Sequence, residues 1–148
     1  MSYDYSLKNY NPRLMARAVA RDLPVSRKQS VEICNFIRNR ELNKAKNILL
    51  SVIEKKRAIP YRRYNMDLGH KKKIGPGSYP IKATSQILKL IENVESNAQF
   101  KGLNTANLYI RHIIVNQGGK VWHYGRKTRR RMKRAHIEIV VGEKTKND

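Results

Sequence analysis

Acidic residues are scarce in this chain: 11 Asp and Glu stand against 32 Lys and Arg, leaving a formal net charge of +21 over 148 residues. Between Glu95 and Glu138 there is no acid at all. Such a chain repels itself when compact, which predicts marginal stability alone and a dense polyanion, nucleic acid first, as its partner. Cys34 is the single cysteine, which excludes an intramolecular disulfide and a zinc ribbon or finger and fits a reducing, intracellular home. No apolar run approaches the ~20 residues needed to cross a bilayer. The opening MSYDYSLKNYNP, polar with Asp4, does not read as a secretory leader, so neither membrane insertion nor secretion is expected. Catalytic signatures are missing as well. His70, His112, His123 and His136 are scattered without HxH or HExxH spacing, so no metal site is expected. GPGSYPIK lacks the GxxxxGK[ST] order of a phosphate loop, no nucleophile motif is present, and no cofactor is expected.

What is present suffices for one core: 40% of the residues are hydrophobic, and the length fits a single domain over 1–148. Residues 1–12 carry Tyr3, Tyr5 and Tyr10 without a consistent period and read as an extended arm. From Leu14 to Leu23, Met15, Arg17, Val19 and Arg21 alternate with Ala16, Ala18 and Ala20, the pattern of a strand. Ser26 with Gln29 three residues on predicts a capping box, opening a helix with an apolar stripe of Val31, Cys34 and Ile37, Ile33 beside them, to about Arg40. Ala45, Ile48, Leu49, Val52 and Ile53 predict a second helix, stopped by Pro60. Residues 57–80 hold three of the five prolines and read as a basic loop insertion held by something outside the domain. Pro80 suits the start of the longest helix, with Ile87, Leu88, Ile91, Val94 and Ala98 inward and Gly102 near its end.

The period then changes to two. Leu108, Ile110, His112 and Ile114 alternate with Tyr109, Arg111, Ile113 and Val115 in one strand, and Ile137, Ile139 and Val141 mark another. The residues between, 117–134, are more than the ~12–15 that a compact domain leaves unstructured. As two paired arms at ~3.3 Å per residue they would form an extended hairpin projecting about 30 Å.

The residues expected to carry function are cations interleaved with flat rings. Lys120, Arg126, Lys127, Arg129, Arg130, Arg131, Lys133 and Arg134 lie in GGKVWHYGRKTRRRMKRAH beside Trp122, His123 and Tyr124. Guanidinium forks match phosphate oxygens, and planar rings stack on unpaired bases. Arg62, Arg63 and Tyr64 repeat the combination in YRRYN, and Lys71, Lys72, Lys73, Arg17 and Arg21 complete the candidate RNA-binding set. Bland readings stand beside these: Tyr61 and Tyr64 as loop anchors, His112 and His136 as sheet residues, Glu92 and Glu95 as a solvated face or lysine partners, Cys34 as core.

Four stretches resemble the large-subunit ribosomal protein L-twenty-two family, seventeen in eukaryotic naming: AIPYRRYN (58–65), ENVESNAQFKGL (92–103), LYIRHIIVN (108–116) and GRKTRRRMKRAHIEIVV (125–141). The PYRRYN insertion is similar to the archaeal and eukaryotic branch, and the short tail after Val141 to the archaeal one. The resemblance implies an α+β fold: three helices packed on a three-stranded antiparallel sheet with a long protruding basic β-hairpin. It implies a structural role in the cytoplasm, with large-subunit rRNA and neighbouring ribosomal proteins as partners and the hairpin along the polypeptide exit tunnel. Its tip, Trp122, His123, Tyr124, Gly125 and Arg126, would meet the nascent polypeptide. Gly125 and Arg126 match the family's tip, whereas Trp122 and His123 stand where it has arginine and alanine. The alternatives are a basic RNA-processing or RNA-modifying enzyme and an architectural DNA-binding protein.

Overall fold

The structure, a computed structural model, describes residues 3–143; Met1 and Ser2 of the expected arm and residues 144–148 of the tail lie outside the described residues. Strand β1 (Met15–Leu23) is followed by helices α1 (Arg27–Ile37) and α2 (Leu42–Ile53). Three short strands, β2 (Ile59–Pro60), β3 (His70–Lys71) and β4 (Gly75–Ser78), precede helix α3 (Ile81–Phe100). Strands β5 (Leu108–Gln117) and β6 (Ala135–Glu143) are the last strands among the described residues. The main sheet is antiparallel in the order β1-β6-β5, and β2-β4-β3 form a second small antiparallel sheet. This is the expected α+β architecture of three helices on a three-stranded sheet.

The core lies between one face of the main sheet and the helices. Ala16 and Ala18 of β1 and Ile137, Ile139 and Val141 of β6 meet Ile33, Ile37, Leu49, Ile87, Ile91 and Val94, all buried. Alanines on β1 let α3 approach closely, and α3 packs chiefly on that strand and on α2. Fully burying each Ile or Leu contributes on the order of 1.5–3 kcal/mol.

Four local expectations are corrected. The capping box does not form: Ser26 is the N-cap of α1, but its side chain makes no cap hydrogen bond. Ser26 and Gln29 instead border a basic cavity. Helix α2 ends before Pro60 because Lys55 takes a left-handed conformation, φ 60°, and the amides of Lys56 and Arg57 turn back to the Ser51 carbonyl. Strict alternation along β5 fails at Arg111: Ile110 pairs with Val141 and His112 with Val140, so Arg111 is the extra residue of a bulge. Past it the faces exchange. Leu108, Ile110, Ile113 and Val115 are buried inward, while His112 and Ile114 turn outward. Finally, residues 57–80, expected to rely on support from outside, already have internal support from their own small sheet and from the burial of Ile59 and Tyr61.

The outer face of the main sheet is covered by the N-terminal arm. Glu138 and Val140 point away from the helices yet are 1% exposed. The Ser6 N–H donates to Glu138 Oε1 at 3.1 Å, the Ser6 hydroxyl also donates to that carboxylate, and Tyr10 Oη donates to the Met15 carbonyl at 3.0 Å. Tyr3 and Tyr5 meet edge to face with ring centres 5.0 Å apart.

Candidate nucleic-acid interface

Two buried carboxylates position the cationic segments. Glu32, on α1 and 3% exposed, accepts the backbone N–H groups of Arg62 (3.1 Å), Arg63 (3.0 Å) and Tyr64 (2.8 Å). Charge-assisted bonds of this kind are the stronger class, and here they fix the loop backbone while both guanidiniums remain exposed. Glu138 does the same for the arm through Ser6. Burial, and secondly Glu138, raises the Tyr3 phenol above its ordinary value; burial also raises Tyr5, against the opposing charge of Arg17. Neither glutamate stood out in the sequence. The only signal was a single acid beside an apolar stripe, in a chain with few acids.

Arg17 projects from the outer face of β1 between two rings, 4.5 Å from the centre of Tyr5 and 4.6 Å from that of Tyr10. Arg21 is exposed on the same face. The Tyr64 ring has Arg63 at 5.3 Å, Lys28 at 5.8 Å and Arg27 at 5.9 Å, so cations already crowd it. Lys71, Lys72 and Lys73 are exposed on and beside β3 of the small sheet.

Past the Gln117–Ala135 pair the regular ladder between β5 and β6 stops. Gly118 N–H still donates to the Arg134 carbonyl (3.0 Å), Met132 N–H to Val121 (2.7 Å) and His123 N–H to Arg130 (2.8 Å), with one isolated bridge between Trp122 and Arg131. The two arms expected over 117–134 are thus joined by scattered backbone bonds rather than by a continuous ladder. Two adjacent glycines, Gly118 and Gly119, and cations without acids give little to hold it. His123, Arg131 and Met132 border one cavity together with Pro24 and Lys82.

Among the tip residues, Trp122 is 53% exposed and carries the Arg131 guanidinium 4.2 Å from its ring centre, Tyr124 is 87% exposed, His123 is half-buried, and Gly125 takes φ +64°. Arg126, Lys127, Arg129 and Arg130 are exposed. Lys120, Lys133 and Arg134 come together with Arg27 and Lys28 around a cavity of about 380 Å³. Arg38 and Arg40 join Arg62 and Arg63 around another of about 400 Å³. The sequence reading missed Arg27, Lys28, Arg38 and Arg40. Arg27 and Arg38 are eleven positions apart, three helical turns, and so share a face; that spacing could have found them.

Among the described residues the Lys or Arg ion pairs are Lys44–Glu41, Lys46–Glu95 and Lys56–Glu54, and no arginine is paired with a carboxylate. Catalytic geometry is also missing there. Ser6 Oγ (2.9 Å) and Glu138 Oε1 (3.4 Å) both meet the same His112 nitrogen, Nε2, whereas a serine–histidine–acid relay uses both ring nitrogens. His136 Nδ1 accepts the Asp22 N–H at 3.0 Å as a sheet contact. No group of metal-binding residues occurs among the described residues, and no helix is long and apolar enough to cross a membrane.

A compact α+β domain bearing cationic extensions, with the few buried acids used to aim them, is the class these features define. The family profile described as Ribosomal protein L22p/L17e matches residues 18–142, and the chain belongs to that family. Relatives named "Large ribosomal subunit protein uL22" include that of Thermofilum pendens, 38% identical over 148 residues, 96% of this chain and 97% of the relative. That of Thermoplasma acidophilum is 43% identical over 133 residues (86% and 88%), and that of Methanocaldococcus jannaschii 39% identical over 141 (90% and 90%).

Proposed function

We propose that this chain is a structural, non-enzymatic constituent of the large ribosomal subunit, in the cytoplasm, that binds rRNA and lies against neighbouring ribosomal proteins. The family membership supports the subunit assignment. The observation that carries RNA binding is that no arginine among the described residues is paired with a carboxylate of those residues, which leaves their charge available to an outside anion. The outer face of β1, the YRRYN loop with Lys71–Lys73, and segment 117–134 supply the phosphate contacts: Arg17, Arg21, Arg62, Arg63, Lys120, Arg126, Lys127, Arg129, Arg130, Arg131, Lys133 and Arg134. Tyr64 contributes a ring to the same surface.

Within that reading, 117–134 runs along the polypeptide exit tunnel and Trp122, His123, Tyr124, Gly125 and Arg126 face the nascent chain. The exposure of Tyr124 and of about half of Trp122 supports a tip completed by other molecules. Co-sedimentation with the large subunit through a moderate salt wash tests the assignment, and photo-crosslinking from positions 122 and 124 tests the tip. Expected is nascent chain captured at one or both positions. A chain that washes off the subunit, or a tip crosslinking only to rRNA, would overturn the assignment and the tunnel placement respectively.

A further inference from the structure

We infer that the cavity between the start of α1 and the root of segment 117–134 seats an RNA backbone phosphate, and that this anion fastens the segment to the domain. The inference rests on the rRNA-binding reading and names one site within it. Arg27 and Lys28 enter from α1, Lys120 from the outgoing arm, and Lys133 and Arg134 from the returning arm, around a space of about 380 Å³. Among the described residues no carboxylate lines it, although Asp22 Oδ1 stands beside Gly118, next along the chain from Gln117. Surface lysines that merely solubilise a protein can splay into water. Five cations from three stretches facing one hollow instead raise its potential together and favour an anion held among them. A tetrahedral phosphate accepts from guanidinium and ammonium donors on several sides at once. Gln29 and Asn65 also border the hollow and bring neutral amides suited to a ribose hydroxyl, the group that distinguishes RNA from DNA.

The position of the hollow gives the anion its second role. Regular β5–β6 pairing ends at Gln117 and Ala135, right where the cavity begins, and beyond it few backbone bonds hold the arms. A phosphate bridging Lys28 to Lys133 and Lys120 replaces the missing ladder with ionic contacts between α1 and both arms. Lys82 and His123, on the cavity that shares Lys133 and Arg134, are left free to follow the RNA outward.

Two measurements on the full chain decide this. First, pyrophosphate titrated alone is expected to move the amide resonances of Arg27–Gln29 and Lys133–Arg134 saturably and ahead of Lys71–Lys73; uniform or absent shifts would overturn the site. Second, the exposed pair K28A/K133A is compared with K71A/K73A for binding large-subunit rRNA. Both lower the log–log salt slope, by about one to two units. Only K28A/K133A is expected to leave amides 118–121 and 131–134 exchanging as fast with RNA as without it. Equal protection in both variants would overturn the fastening role. An unmodified chain that does not bind rRNA would sink the broader reading instead, while the pyrophosphate titration still judges the cavity.

Discussion

Replacing Glu32 by glutamine isolates the contact that aims the YRRYN loop. The carboxylate accepts three backbone N–H groups, two at Oε1 (Arg63, Tyr64) and one at Oε2 (Arg62). Glutamine retains one acceptor oxygen and turns an amide NH₂ toward the remaining N–H, so one charge-assisted bond is lost and two become neutral. Charge-assisted bonds contribute at least about 1.5 kcal/mol each and neutral ones about 1, so losing one and neutralising two costs roughly 2.5 kcal/mol at the lower bound. Arg62 and Arg63 are exposed and their amides can rewet, which brings the expectation to about 2 kcal/mol. Urea denaturation at fixed salt reads that difference, and amide exchange at 62–64 should quicken on the order of 30-fold. Tyr61 provides an independent signal. Its phenol is pushed up to about 12 by burial and secondly by the Glu32 charge, so Glu32→Gln lowers that value but leaves it above the ordinary range. A loss under about 0.5 kcal/mol with unchanged exchange would refute the assignment of Glu32 as the loop's anchor.

Gly118→Ala should destabilise the chain by about 1–3 kcal/mol, because an added Cβ would lie 2.9 Å from Arg134 Cβ and 3.1 Å from its carbonyl carbon. Thermal or urea melts check this, and a neutral result would mean that the end of β5 can shift freely. Alkaline pH should weaken the fold. Burial pushes the Cys34 thiol up to about 12, against a small opposing effect of Arg38, and Tyr61 rises in the same sense. Both groups ionise more readily unfolded than folded, so their contribution is complete below about pH 9 and is lost as pH climbs toward 12. Urea midpoints that stay flat to pH 11, or Cys34 alkylating in the native state at pH 9, would contradict this.

Helix and strand positions were legible because they follow from local periodicity. The stripe of Ile87, Ile91, Val94 and Ala98 is one face of α3, and alternating alanines mark the inner face of β1. Where a local signal was ambiguous, distant groups decided the outcome. Ser26 and Gln29 form a good capping pattern, yet both border the cavity under the returning arm. His112 and Ile113 could each have faced inward on alternation alone, and one bulge residue chose between them. Among candidate site residues, the cations on 117–134 were visible as a run without acids. Arg27 and Lys28 were not, because their importance lies in meeting Lys133 and Arg134 more than a hundred positions away.

The sequence by itself determined the charge imbalance, the helical and extended periods, the family and the absence of a metal or nucleophile motif, since each depends on composition or on neighbours a few residues apart. Only the tertiary structure decided which scarce acids are buried and what they hold: Glu32 grips a loop 30 to 32 positions away, and Glu138 grips an arm 132 positions away. It also decided where the β5–β6 ladder gives out and which cations gather there. Burying a carboxylate is tolerable only where several N–H or O–H donors converge, and that convergence is set by chain topology rather than by any local pattern.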